Sequence, residues 1–227
     1  MRSRLNIFLM KRFFLILLAL ASFSIAGQAQ YLSYGAKLGL SFPGFQDERI
    51  ASQRITPTFS LTGAFNVNRS FLLQTELGYE RKGNKFTNQY WDDNGDLVDD
   101  STYLVKTNMD YITIPLLAKV NLGRSNKFYF QAGGYYGYLL RARYNGMKFG
   151  EMVSKDDILP GLSRNDYGLV LGGGLETPIR RELSLLLDVK YNWGMKDLNI
   201  DPVYIGHSQP VKNKSFIMSM GIVILVD

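Results

Sequence analysis

"ELSLLLDVKYNW", residues 182–193, is the stretch whose reading decides the fold. Leu183, Leu185, Leu187, Val189, Tyr191 and Trp193 alternate with Glu182, Ser184, Leu186, Asp188, Lys190 and Asn192, so one set of side chains is apolar and the other carries the charges. Side chains repeat every two residues in a strand and every 3.6 in a helix. An alternation sustained over this length is that of a strand with one apolar and one polar face, and no amphipathic helix produces it.

Seven other stretches obey the same rule: residues 32–42, 58–66, 71–80, 111–122, 128–144, 166–176 and 215–226. The first puts Leu32, Tyr34, Ala36, Leu38, Leu40 and Phe42 against Ser33, Gly35, Lys37, Gly39 and Ser41. The connections between the eight runs alternate too. They are brief after the second, fourth and sixth runs (residues 67–69, 123–126 and 177–181) and long after the others (residues 43–55, 83–103, 145–165 and 195–213). Tight turns at one end and long loops at the other are expected of an eight-stranded antiparallel up-and-down transmembrane β-barrel with short periplasmic turns and long extracellular loops.

Alternation alone does not separate a membrane barrel from a soluble lipocalin-like barrel or sandwich, because each has one apolar and one polar stripe. The composition of the polar stripe does. It is repeatedly glycine, at Gly35, Gly39, Gly78, Gly133, Gly137, Gly168, Gly172 and Gly174, which suits a crowded lumen better than a solvated surface. The apolar stripe places Phe71, Phe128, Phe130 and Phe216 toward the short turns, and Tyr79, Tyr138, Tyr191 and Trp193 toward the long loops, as two interfacial girdles. Pro115 sits inside the fourth run on the polar parity, where it removes an amide donor. A closed barrel has no edge strand to host it, so a local break in the ladder is predicted there.

If the polar parity faces the lumen, Lys37, Glu76, Glu80, Lys119, Asp188 and Lys190 converge in a narrow interior, with Arg141 and Asp166 higher toward the loops. Buried charges of both signs must pair. A salt-bridged plug is expected, the alternative being a proton or ion path.

"YWDDNGDLVDD", residues 90–100, carries Asn94-Gly95, a type I′ turn signal, and reads as the acidic tip of a hairpin. With Gly95 in the sixth place of a calcium loop, Tyr90 and Ser101 would occupy the first and twelfth, so the required carboxylates are missing. His207, the only histidine, stands beside Ser208 and near Asp201 in the last long loop, too little to define a hydrolytic site. No catalytic, cofactor or metal residue is therefore assigned.

The first 29 residues stand apart. Arg2, Arg4, Lys11 and Arg12 precede an apolar run at 13–21, and Gly27-Gln28-Ala29 offers small residues around Gln28, the form of a secretory signal cleaved after Ala29. Met10-Lys11-Arg12 is itself an ordinary signal start, so translation from Met10 is a second possibility. The barrel domain is then residues 30–227, with 22 basic and 20 acidic side chains and a net charge of +2 rather than the +6 of the whole chain. No basic, aromatic-interleaved cluster suggests nucleic acid. With no cysteine, disulfides and a lipidated N-terminal cysteine are excluded.

"YGAKLGLSF" (34–42), "LLQTELGYERKG" (72–83), "YITIPLLAKV" (111–120), "FYFQAGGYYGYLL" (128–140), "DYGLVLGGGLE" (166–176) and "LLLDVKYNWGMKDL" (185–198) together resemble the PorT-like outer-membrane β-barrel family of Bacteroidetes. The resemblance covers essentially the whole mature chain. It implies an integral outer-membrane barrel, in contact with outer-membrane lipid and with envelope or secretion-complex proteins of the type IX kind. The expected function is a non-enzymatic scaffold or accessory, the alternative a loop-mediated surface binder or adhesin. The chain ends "GIVILVD" (221–227), without the terminal aromatic many barrels present to the insertion machinery.

Overall fold

The computed structural model describes residues 32–46, 54–68, 70–91, 97–148, 151–155, 161–199 and 210–226. Among the described residues ten strands are present: β1 (Leu32–Phe45), β2 (Thr56–Asn66), β3 (Phe71–Lys82), β4 (Lys85–Trp91), β5 (Leu97–Leu122), β6 (Lys127–Lys148), β7 (Glu151–Lys155), β8 (Asn165–Pro178), β9 (Leu183–Gly194) and β10 (Asn213–Val226). All pair antiparallel. The order β5-β3-β2-β1-β10-β9-β8-β6 closes on itself through β5–β6 pairing, giving an eight-staved barrel, while β4 and β7 flank the distal parts of β5 and β6. Closure matters because an unpaired amide has no partner in hydrocarbon, and a closed ladder leaves none at an edge.

Burial is inverted relative to a soluble protein. The apolar parity is exposed on every stave, as at Leu38 (65%), Leu116 (64%), Phe130 (66%) and Leu171 (61%), while Lys37, Glu80 and Asp166 on the polar parity are at most 2% exposed. Such a wall is stable in lipid, and in water it would be an aggregation surface.

The tight connections sit together at one end. In the first, Asn68 Oδ1 accepts from the amides of Ser70 (2.9 Å) and Phe71 (2.8 Å). In the second, Gly123 adopts φ 107°, which glycine alone takes without strain.

The structure extends the strands past the bounds read from alternation. Residues 83–103 and 145–165, read as loops, contain β4, the first part of β5, the end of β6 and β7. Near Lys106 and Asn145 the four strands β4-β5-β6-β7 lie side by side, with Lys85 opposite Lys106, Lys106 opposite Asn145, and Asn145 opposite Ser154. Above the barrel rim neither lipid nor lumen imposes a two-residue period, so this blade left no pattern in the sequence. The Asn94-Gly95 turn lies outside the described residues.

One girdle assignment is corrected. Phe216 pairs with Phe42 and Tyr191 at the loop end, because β10 enters the barrel from that side. The β3–β5 ladder keeps one register from Phe71–Val120 to Lys82–Met109, but the pairs expected between Thr75–Leu116 and Gly78–Thr113 are missing. The gap lies opposite Pro115 and Ile114. Pro115 has no N–H to give to β3, and its carbonyl instead accepts from Thr75 Oγ1 at 3.0 Å.

Candidate functional site: the filled lumen

The polar parity of the staves fills the barrel in layers. At mid-height Lys37 of β1 reaches Glu76 of β3 (2.6 Å) and Asp188 of β9 (2.9 Å), across strands it does not pair with. Lys190 reaches the other oxygen of Glu76 (2.6 Å) and stands 3.9 Å from Asp188. Gln74 and Gln131 donate side-chain amide hydrogens to Glu76 (2.9 Å) and Asp188 (2.6 Å). Two lysines thus face two carboxylates with nearly every oxygen engaged, the condition under which buried charge is tolerated.

Toward the loops a second layer forms around Lys82, which binds Asp166 at 2.9 Å and lies 3.8 Å from Glu80. Tyr135 and Asn213 also donate to Asp166 (3.1 and 2.9 Å), and Ser41 and Asn192 donate to Glu80 (2.9 and 3.4 Å). The Lys82 ammonium stands 4.4 Å from the Tyr135 ring centroid and 5.3 Å from that of Tyr111. Between the two layers is a cavity of about 30 Å³, room for one or two water molecules.

A third layer lies toward the tight turns, where Lys119 binds Glu176 (3.1 Å) and Lys127 approaches it from the rim (3.7 Å). Tyr129 joins this layer to the middle one: its hydroxyl donates to Asp188 (2.8 Å) and its ring lies 3.9 Å from the Lys119 ammonium. Gly174 is needed here, because a Cβ at that position would collide with the Tyr129 hydroxyl and with the Leu187 carbonyl.

The two ends differ. Above the Lys82 layer the loop end is sealed by a buried apolar cluster of Phe45, Met109, Tyr111, Leu139, Ala142, Tyr144, Leu198 and Val211. The last two belong to the β9–β10 connection, held over the opening by the Leu198 amide donating to the Val211 carbonyl (2.9 Å). At the turn end the lumen opens into a polar vestibule of about 170 Å³ reached by Lys119, Asn121, Arg124, Lys127, Glu176 and Arg181.

Of the residues singled out from sequence, Lys37, Glu76, Asp188 and Lys190 meet in one layer, Glu80 and Asp166 in the next, and Lys119 in the third. Arg141 does not join them. The β5–β6 register shifts between Asp110–Arg141 and Tyr111–Leu139, so Leu140 is an extra residue on β6 and the parity inverts beyond it. Leu139 faces in, while Leu140 and Arg141 face out and Ala142 is buried. Strict alternation places Arg141 in the lumen because a bulge carries no signature of its own in these residues.

Lys82 and Glu176 are legible by parity, being even-numbered with Glu80 and with Asp166, but Lys82 falls just past the run at 71–80. The apolar seal is signalled by Met109, Tyr111 and Leu139 standing on the polar parity. Asp201, His207 and Ser208 lie outside the described residues. Among the described residues no group of three His, Cys, Asp or Glu side chains could hold a metal ion.

The outer membrane protein beta-barrel domain profile matches residues 26–199. Among solved structures, the chain is similar to a major outer membrane protein from Thermus thermophilus, with 12% identity over 88% of this chain and 100% of that one and a TM-score of 0.57. It is also similar to Ail, the attachment invasion locus protein of Yersinia pestis, with 11% identity, coverage of 88% and 100%, and a TM-score of 0.46. For OprG from Pseudomonas aeruginosa the identity is 10%, the coverage 87% and 95%, and the TM-score 0.45. No curated protein matches the chain.

Proposed function

This chain belongs to the outer membrane protein beta-barrel domain family, and from that premise we propose that it is a non-enzymatic barrel that works through its surfaces, as a scaffold or accessory of an envelope or protein-secretion assembly. The observation that carries this reading is the filled lumen. Among the described residues three ion-paired layers beneath an apolar seal fill the barrel interior, which favours partners met on the wall, the turns or the projecting blade. The assembly class comes from the segments that resemble PorT-like barrels, which point to a type IX kind of secretion. On this reading residues 1–29 are an export signal, the tight turns are periplasmic and the long connections are extracellular.

The test is crosslinking of a tagged copy in intact cells, then mild-detergent extraction and mass spectrometry. Stoichiometric recovery of secretion or envelope components supports the scaffold; recovery of the barrel alone sinks it. The second reading, a surface binder or adhesin, is favoured by the blade of β4-β5-β6-β7, which presents a paired sheet beyond the rim. Replacing residues 83–103 with a short turn separates the two. A scaffold docked through its wall or turns keeps its crosslinks, whereas a loop-mediated binder loses its ligand.

A further inference from the structure

We propose that an arginine cluster on the outer wall, at the loop end of β3, β5, β6 and β8, binds the phosphate of a membrane lipid headgroup. The bulge at Leu140 creates the site. By turning the strand over it directs Arg141 outward and brings Arg143 to the outer-wall carboxylate of Asp110 (3.4 Å). On the neighbouring stave Arg81 binds the same carboxylate through Nε at 2.5 Å. Arg54 reaches over from the start of β2 to donate to the Thr107 carbonyl (2.7 Å) and to Asn108 Oδ1, and Arg164 donates to the Tyr138 hydroxyl (3.4 Å). Arg81 and Arg143 thus share one carboxylate, with Arg54, Arg141 and Arg164 on the adjoining segments.

Donors are left over. Arg143 Nε is buried with no hydrogen-bond partner, and among the described residues Arg141 makes no ion pair. Each guanidinium carries five N–H donors in a planar fork that matches phosphate geometry, so a shared anion would satisfy several at once. In a mature chain of net charge only +2, this local excess is not a property of the surface as a whole.

Position selects a lipid phosphate over a soluble one. The cluster stands on the lipid-facing wall, one step above the outward side chains that close the apolar band: Tyr79 next to Arg81, Ile112 next to Asp110, and Tyr138 and Leu140 below Arg141. That height is where long basic side chains reach headgroups, and the aromatic residues beside them mark the same interface. The inference rests on insertion in the membrane and not on the assembly role, so failure of the crosslinking experiment leaves it standing.

The test titrates bisphosphorylated lipid A into the barrel in neutral detergent micelles and follows the bound adduct by native mass spectrometry. Arg141→Gln/Arg164→Gln leaves the Asp110 ion pairs intact and is expected to weaken binding about 25-fold, roughly fivefold for each arginine. Arg141→Lys/Arg164→Lys should retain most of the affinity, and Arg124→Gln/Arg181→Gln, at the other end of the barrel, all of it. Unchanged urea midpoints in neutral micelles would show that the variants fold. The proposal is overturned if the glutamine variant binds as wild type does, if dephosphorylated lipid A binds equally well, or if inorganic phosphate at matched concentration displaces the lipid.

Discussion

Lys37→Met removes one cation from the middle layer and leaves everything else in place. The Lys37 side chain is 1% exposed, and its ammonium is shared between Glu76 at 2.6 Å and Asp188 at 2.9 Å. Without it, two carboxylates remain against Lys190, which holds Glu76 at 2.6 Å but stands 3.9 Å from Asp188. Asp188 keeps donors in Tyr129 and Gln131 but loses its nearer cation, leaving only the longer contact to Lys190. An uncompensated buried charge costs about 3–5 kcal/mol, and methionine is close enough in volume that cavity formation adds little. The loss expected for Lys37→Met is therefore about 3–5 kcal/mol.

Asp188→Asn alone should also destabilise, leaving Lys37 and Lys190 to share Glu76. Lys37→Met/Asp188→Asn restores one cation against one anion and should recover most of the loss, with a coupling energy of about 2–3 kcal/mol. Urea unfolding of the barrel reconstituted in phosphatidylcholine vesicles, followed by tryptophan fluorescence and by the gel mobility of the folded form, gives all four free energies. Additive single losses, or a Lys37→Met loss below about 1 kcal/mol, would refute the view that mutual neutralisation holds the plug together.

Pro115→Ala restores an amide facing β3. Hydrogen–deuterium exchange should slow at Glu76 and be protected at residue 115, with a net stability change within about 1 kcal/mol, because one added hydrogen bond is offset by the lost proline restriction on the unfolded chain; unchanged exchange would mean that the ladder gap has another cause. Asp110 stands above the apolar band, and although burial alone would raise its pKa, hydrogen bonds from Arg81 and Tyr79 hold it below the ordinary carboxylate range. A lowered folded value contributes stability above the unfolded pKa of about 3.9 and loses it as pH falls through the folded value, so Asp110→Asn should be less stable than wild type at pH 7 and converge with it on acidification; a gap in urea midpoint that is constant with pH would contradict this. In planar bilayers the wild-type barrel should show no discrete conductance steps, and steady single-channel currents would mean that the layers move aside.

What could be read from the sequence was whatever the membrane enforces. Lipid on one side and a crowded lumen on the other impose a two-residue period on each stave, and so the eight staves and the buried charges Lys37, Glu76, Asp188 and Lys190 follow from parity. That signal fails wherever one of the two environments stops. The blade of β4-β5-β6-β7 has neither lipid nor lumen beside it, and its strands read as loop. The apolar seal reverses the usual content of the inner face, so Met109, Tyr111 and Leu139 read as exceptions when they were the end of the polar lumen.

Arg141 shows the third way the period fails, and the cost of misreading it is functional. One inserted residue at Leu140 leaves every side chain type unchanged yet transfers Arg141 from the lumen to the wall. In the lumen an additional buried guanidinium would be expensive, since it would lose its hydration and compete with Lys82 for Glu80 and Asp166. Outside, at headgroup height, the same group is inexpensive to hold and has anions within reach. The bulge thus reconciles two demands on one strand. Ala142 and Tyr144 can close the lumen from above only if the parity turns at Leu140, and once it turns, Arg141 and Arg143, which alternate with them, must face the membrane. Deleting Leu140 should therefore leave both in place, because Arg141 then follows Leu139 directly, opposite Asp110 and facing out, with Ala142 and Tyr144 still facing in. A Leu140 deletion that lost stability and lipid affinity would show that the bulge itself, rather than the number of residues between Leu139 and Ala142, sets which way they face.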